Sequence, residues 1–313
     1  MAQALSASMP VFLVILLGGG LVYRHYVSVD TWAQLQRLNY YLFIPALFLA
    51  GLSGANLSDA PFLRIVVAVV VALGAATVVI WTWRTGSSQA AKLGPQILEA
   101  SVRANVPYGM GISLALGGAD GLALFLVAAA TYLPTVIVAG GVFSHFVGRQ
   151  DPDPDAEQEY AFASALRLLA QNPIVWGAAA GIALNIAGIP LVSGVAAMLQ
   201  VFGFAAIPVG LLGAGAALNI AAAQNALEAA RGAVTAVLAL NLLALPLLAG
   251  LIAWVLGLEG AAAVAVVLIA ALPSVVPRFS VLEDDAQSIL PGTTTIATLG
   301  SVVTIPLALW LLT

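Results

Sequence analysis

Ten apolar runs of about 20 residues recur along the chain, each long enough to cross a hydrocarbon layer roughly 30 Å thick as an α-helix. They fall at about 8–23, 33–54, 61–83, 97–118, 121–147, 172–189, 193–219, 230–256, 260–282 and 290–312. Hydrophobic residues make up 62% of the 313 and charged ones 8%, against about 45–50% and 25% in soluble domains. This is the composition of a membrane protein. Its apolar stretches are rich in Gly and Ala and lack the strict alternation of barrel strands, so closely packed helices are expected. The third run is bounded by Pro61 and Trp83-Arg84, and the fifth ends at Phe143-Ser-His-Phe146, residue types suited to a membrane interface.

The distribution of Lys and Arg sets an orientation. Segments following odd-numbered runs carry Arg24, Arg37, Arg84, Lys92, Arg149, Arg167 and Arg231, whereas those following even-numbered runs carry Arg64. The positive-inside rule then predicts both termini outside the cytoplasm, in a bacterial inner membrane. The start, Met-Ala-Gln-Ala-Leu-Ser-Ala-Ser, has no positive n-region, so the first run reads as a retained helix. The polar segment Gly148 to Tyr160, with its Asp-Pro alternation, reads as an extended cytoplasmic connection.

That connection follows the fifth of ten runs and suggests a duplicated chain. A shift of 163 residues places Pro10 on Pro173, Gly18 on Gly181, and Ile44-Pro45 on Ile207-Pro208. Two units with an odd number of spans insert with opposite orientation, the inverted-repeat plan of many secondary transporters. The expected architecture is therefore an all-α polytopic membrane protein with a first five-helix repeat over 1–148. An acidic linker over 149–171 would join it to a second, inverted five-helix repeat over 172–313.

Spans four and nine are the equivalent helices, and both carry proline near their midpoints: Pro107 in the first, Pro273 and Pro277 in the second. Proline has no N–H for the helical ladder and clashes with the preceding turn. Lipid cannot satisfy the carbonyls this frees, so such a break survives only inside protein or beside a wet cavity. A half-helix N-terminus exposed there carries roughly half a positive charge, which suits a carboxylate. The expected site is thus a crossing of broken helices four and nine.

These residues resemble the auxin efflux carrier family of permeases, which shares a ten-helix inverted-repeat fold with bile acid–sodium symporters. The similarity spans nearly the whole chain. It is carried by Leu38-Asn-Tyr-Tyr-Leu-Phe-Ile-Pro-Ala-Leu-Phe48, Asn172-Pro-Ile-Val175, Ala271-Leu-Pro273 and Thr295-Ile-Ala-Thr-Leu-Gly-Ser-Val-Val-Thr-Ile-Pro306. The resemblance implies transport of organic anions across crossed spans four and nine, with Asn105 as the family's span-four asparagine and Pro273 as its span-nine proline. Two stretches depart from the family pattern: Gly111-Ile-Ser113 replaces Gly-x-Pro, and Glu283-Asp-Asp285 follows span nine.

The candidate substrate residues are Ser101, Asn105, Pro107, Tyr108, Pro273, Ser274, Pro277 and Arg278. Helical spacing puts Ser101, Asn105 and Tyr108 on one face. Asn105 either holds substrate or satisfies carbonyls freed by Pro107. Arg278 either attracts the anion or snorkels toward Glu283 and its neighbours. Glu99 either pairs with Arg103 at i, i+4 or relays protons. Hydroxyls of Thr293, Thr294 and Thr295 are candidates for Na⁺. His25 and His145 read as interface residues rather than metal ligands.

No cysteine, P-loop or H-E-x-x-H pattern occurs, so neither an enzyme, a cofactor nor a metal centre is expected. The expected partners are a small organic anion, membrane lipid, a coupling H⁺ or Na⁺, and a second copy of the chain as a homodimer; nucleic acid is not. A membrane sensor that binds without flux is the alternative outside transport. The orientation is testable because the chain has no cysteine of its own. A single cysteine at Asp155 should be protected from an impermeant thiol reagent in intact cells and one at Ala2 labelled; the opposite pattern would reverse the topology.

Overall fold

The computed structural model describes residues 2–56, 61–84, 97–98, 100–148, 160–274 and 289–312. The architecture is all-α. Among the described residues the one β pairing is an isolated bridge between Ala104 and Ser274. Helix α1 (Ala2–Tyr23) is followed by α2 (Val29–Leu38), a π-helical segment (Asn39–Phe43), α3 (Ile44–Ser53) and α4 (Phe62–Arg84). Helical residues at 97–98 and 100–102 precede α5 (Val106–Gly148), α6 (Tyr160–Gln171), α7 (Pro173–Ile186) and α8 (Ser193–Ala216). Next come α9 (Ile220–Ala239), a second π segment (Leu240–Ala244), α10 (Leu245–Val255), α11 (Gly260–Ala271) and α12 (Leu290–Leu312).

Among the described residues six helices are long and apolar enough to cross a membrane: Ala2–Tyr23, Phe62–Trp83, Val106–Phe143, Ser193–Ala216, Ile220–Val255 and Leu290–Leu311. The other apolar runs are held in shorter pieces for identifiable reasons. Run four is interrupted at 103–105 and restarts at Val106. Gly118, at φ 59° and ψ −145°, separates the restarted helix from the rest of α5, a left-handed turn open to glycine. Helix α11 stops at Ala271 because Leu272 is extended (φ −66°, ψ 137°), the conformation imposed on a residue before proline.

Proline also explains both π segments. Pro45 and Pro246 lack the N–H that would bind the carbonyl four residues earlier. Immediately before each, Ile44 N bonds Asn39 O and Leu245 N bonds Leu240 O, five residues back. The extra residue in the turn rotates the side chains that follow. Ala230 (φ −147°, ψ 46°) breaks α9 in the same position where run eight is expected to begin. The linker expected over 149–171 is helical in its second half, where α6 lies against α5 and buries Ala165.

Helices approach through glycines. Helix α1 crosses α8 where a Cβ on Gly18 would sit 2.0 Å from Leu212 O and one on Gly215 would sit 1.7 Å from Ile15 O. Helix α7 crosses α3 likewise, with a Cβ on Gly181 at 3.0 Å from Leu49 O and one on Gly177 at 2.6 Å from Pro45 O. Gly18 precedes Gly181 by 163 positions, and Leu49 precedes Leu212 by the same 163. One contact in each crossing, Gly18–Leu212 and Gly181–Leu49, is thus related to the other by a single offset. Without a strong hydrophobic drive between helices in lipid, such backbone-to-backbone contact supplies much of the association through dispersion and fit.

These contacts set a stability test. Gly215→Ala should push α1 from α8 and lower unfolding stability by about 1–3 kcal/mol. Gly74→Ala, where nothing lies within 4 Å of the new carbon, should be neutral or slightly stabilising. Thermal unfolding of the purified protein in detergent checks this; equal midpoints for the two variants would refute the crossing.

Candidate functional site

The extended residues 103–105 meet the extended residues after α11 inside the helix bundle. Ala104 pairs antiparallel with Ser274, and Asn105 N donates to Pro273 O at 3.0 Å. Asn105 O in turn accepts from Tyr108 N at 3.0 Å and Gly109 N at 3.4 Å, which starts the helix that resumes at Val106. The interruption at 103–105 and the extended end of α11 therefore meet through a strand contact. Ala104, Asn105, Leu272 and Ser274 are all at least nine-tenths buried, so water does not complete their backbone bonding from the surface.

Neighbouring side chains supply the remaining partners. The Tyr132 hydroxyl, from the long second part of α5, accepts from Ala104 N and donates to Val102 O. Asn241, in the second π segment, donates through Nδ2 to Ser101 O at 3.1 Å. Ser274 Oγ and Thr294 Oγ1 of α12 share a hydrogen bond of 3.0 Å. On the other side, Pro107 packs on α8 at Gly210, where a Cβ would lie 2.4 Å from the proline ring and 3.2 Å from Asn39 Nδ2. Asn39 and Gln36 hold this face by donating to Ala206 O (3.3 Å) and Val209 O (2.8 Å) of α8.

The candidate residues divide accordingly. Asn105, Pro273, Ser274 and Thr294 gather at the crossing, with Pro107 beside them. Ser101, Asn105 and Tyr108 do not share a helical face, because the helix is interrupted between them. Ser101 lies behind the crossing next to Asn241, while Tyr108 is fully buried with its hydroxyl 3.3 Å from Ser301 Oγ of α12. Thr295 accepts from Asn219 N at 3.0 Å and donates to Pro291 O, and Thr293 donates to Ile289 O. Their hydroxyls serve the backbone, leaving Thr294 as the one of the three that reaches the crossing. Glu99, Pro277 and Arg278 lie outside the described residues.

Sequence reasoning missed Tyr132, Asn241, Asn39 and Gly210. A signal existed for the two asparagines, since each amide stands in an apolar run five or six residues before a proline. Polar residues at such depth are costly and mark interhelical contacts or function. Nothing in the local pattern distinguishes Tyr132 from an interface tyrosine.

Electrostatically, the crossing presents the N-terminal end of the helix starting at Val106 and the C-terminal end of α11, hence partial charges of opposite sign. The expected second half-helix N-terminus would fall in 275–288, outside the described residues. Among the described residues no group of three or more His, Cys, Asp or Glu could hold a metal ion. No protein-family model matches the chain, and no curated protein matches it.

An antiparallel bridge brings Cα atoms to about 4.5–5.5 Å, within the usual disulfide range. Ala104→Cys with Ser274→Cys should form an intramolecular disulfide under mild oxidation. Absence of that product, read by mass spectrometry on folded protein, would overturn the crossing. Tyr132→Phe removes a partner from two buried backbone groups and should cost about 1–3 kcal/mol in unfolding stability.

Proposed function

We propose that this protein is a secondary transporter of a small organic anion, most simply a carboxylate, working by alternating access around the crossed chain segments. The observation that carries the reading is the Ala104–Ser274 bridge, an extended crossing inside an apolar helical bundle. Irregular backbone at such a place is tolerated in membranes where protein or a wet cavity satisfies it, and in transporters it marks the substrate site.

The same reading takes the ten apolar runs as ten spans in two inverted repeats, 1–148 and 172–313, joined through 149–171 on the cytoplasmic side of an inner membrane. The matched contacts Gly18–Leu212 and Gly181–Leu49 support it, because contacts related by one sequence shift are what a duplicated chain retains. The resemblance to auxin efflux carriers points to the same fold and to anionic cargo. In this scheme the carboxylate approaches the positive helix end at Val106, Asn105 donates an amide hydrogen to it, and Arg278 adds charge. Rocking of one bundle against the other then exposes the site to each side in turn.

Sodium coupling is the second reading. It is favoured by the Ser274–Thr294 hydroxyl pair at the crossing and limited by the backbone engagement of Thr293 and Thr295.

A thermal-shift screen against mono- and dicarboxylates identifies a ligand, because binding to the folded state alone must stabilise it. Uptake of that ligand into proteoliposomes, with and without Na⁺, then separates transport, coupling and mere sensing. Asn105→Ala should weaken binding about tenfold or more, the scale of one hydrogen bond to a charged group, and Pro273→Ala should cut uptake while leaving the fold intact. Full uptake by both variants would eliminate the crossing as the substrate site.

A further inference from the structure

Behind the crossing lies a cavity of about 20 Å³ bordered by Ser101, Tyr132, Asn241, Ile269 and Ala270 together with apolar residues of α4, α10 and α11. Two of its bordering polar atoms, Ser101 Oγ and Asn241 Oδ1, are buried without a hydrogen-bond partner, in residues only 1% and 2% exposed. An unsatisfied buried polar atom carries a desolvation penalty, and native structures rarely leave two together.

Neither atom has a partner within its own helix. Buried or half-buried hydroxyls elsewhere in the chain turn back to the carbonyl four residues earlier: Ser8 to Ala4 O, Thr77 to Leu73 O, Thr131 to Val127 O and Thr298 to Thr294 O. Ser101 makes no such bond. The Asn241 amide cannot be reversed either, because its Nδ2 already donates to Ser101 O, and a flip would set two acceptors against each other. Beside them lies the C-terminal turn of α11. There the carbonyl of Ile269 would look four residues on to Pro273, which has no N–H.

We propose that this cavity is a binding site for one ordered water molecule that joins the interrupted helix at Ser101, the π segment at Asn241 and the end of α11. The volume admits one water, and three partners are the usual complement. The water accepts from Ser101 Oγ–H and donates to Asn241 Oδ1 and to the Ile269 carbonyl. A monovalent cation fits less well: no charged side chain borders the cavity among the described residues, and most of its wall is apolar, so ion desolvation goes uncompensated. Asn241 thereby acts as a positioning residue, and the π turn before Pro246 is what aims its amide at the crossing. The site stands whether or not the protein transports anything, since it rests on hydrogen-bond accounting alone.

The test is a density map of the full-length protein in lipid nanodiscs, at a resolution that shows ordered water. A single peak should lie about 2.7–3.2 Å from both Ser101 Oγ and Asn241 Oδ1. Ser101→Val, which replaces the hydroxyl and a β-hydrogen with two methyls and fills the space, should remove the peak. If the valine variant does not fold, Ser101→Ala, which removes one of the three partners, should weaken the peak relative to the wild type, and an unchanged peak would count against the assignment. Any difference in thermal midpoint between sodium and N-methylglucamine chloride should be unchanged by Ser101→Ala. An empty cavity would overturn the proposal. So would a peak that persists in Ser101→Val, or a sodium-specific rise in midpoint that Ser101→Ala abolishes, which would identify a cation instead.

Discussion

Every polar backbone group in the apolar bundle must find a partner in the protein, and the crossing at Ala104 and Ser274 is where that requirement is hardest to meet. Interrupting a helix orphans carbonyls on one side and N–H groups on the other. Here the interruption at 103–105 and the end of α11 answer each other through Asn105 N and Pro273 O, while Tyr132 and Asn241 supply side-chain partners to Val102, Ala104 and Ser101. Each partner comes from a different helix, so the crossing ties α5, the second π segment and α11 into one unit. Removing any one of them leaves a buried group unpaired, which costs more than the net worth of the bond itself.

Close helix packing is the second condition. Prolines alone would merely bend helices; to bring Pro107 against α8, position 210 must have no side chain, and Gly210 provides that. The same logic places Gly18, Gly215, Gly177 and Gly181 at backbone contacts. Side-chain amides then lock what the glycines admit. Asn39 and Gln36 reach carbonyls of α8, and Asn185 donates to Leu52 O, Ser53 O and Ala55 O at the end of α3. The bundle thus combines small residues for approach with a few amides for register.

The proposed function draws on how the buried polar side chains are committed. Most buried hydroxyls and amides are committed to backbone partners, as with Thr293, Thr295 and Asn172. At the crossing the Asn105 side chain makes no hydrogen bond to a described residue, although Asn105 is only 4% exposed. In the proposed transporter, this side chain beside the start of a helix is the one assigned to the anion.

Much of the fold was legible along the chain because apolar length and proline are local signals. Runs of about twenty apolar residues mark membrane helices, and Pro107 and Pro273 lie just after a break at 103–105 and the end of α11 at Ala271. Proline acts on its own neighbours through a missing N–H and a steric clash, so no tertiary information is needed to see where a helix must yield. The linker was less legible: the Asp-Pro pattern hides that Tyr160–Gln171 forms a helix against α5. Which residues answer the interruptions was decided only in three dimensions. Helical spacing aligned Ser101, Asn105 and Tyr108, but that spacing holds only while the helix continues, and the break sends the three to different surroundings. Tyr132 and Asn241 lie 28 and 140 positions from their partners, distances over which sequence pattern carries no geometry. Sequence alone therefore determined that the chain is a helical membrane protein and where its helices break; only the packing of distant helices decided what fills the breaks, because hydrogen-bond partners are chosen by proximity in space.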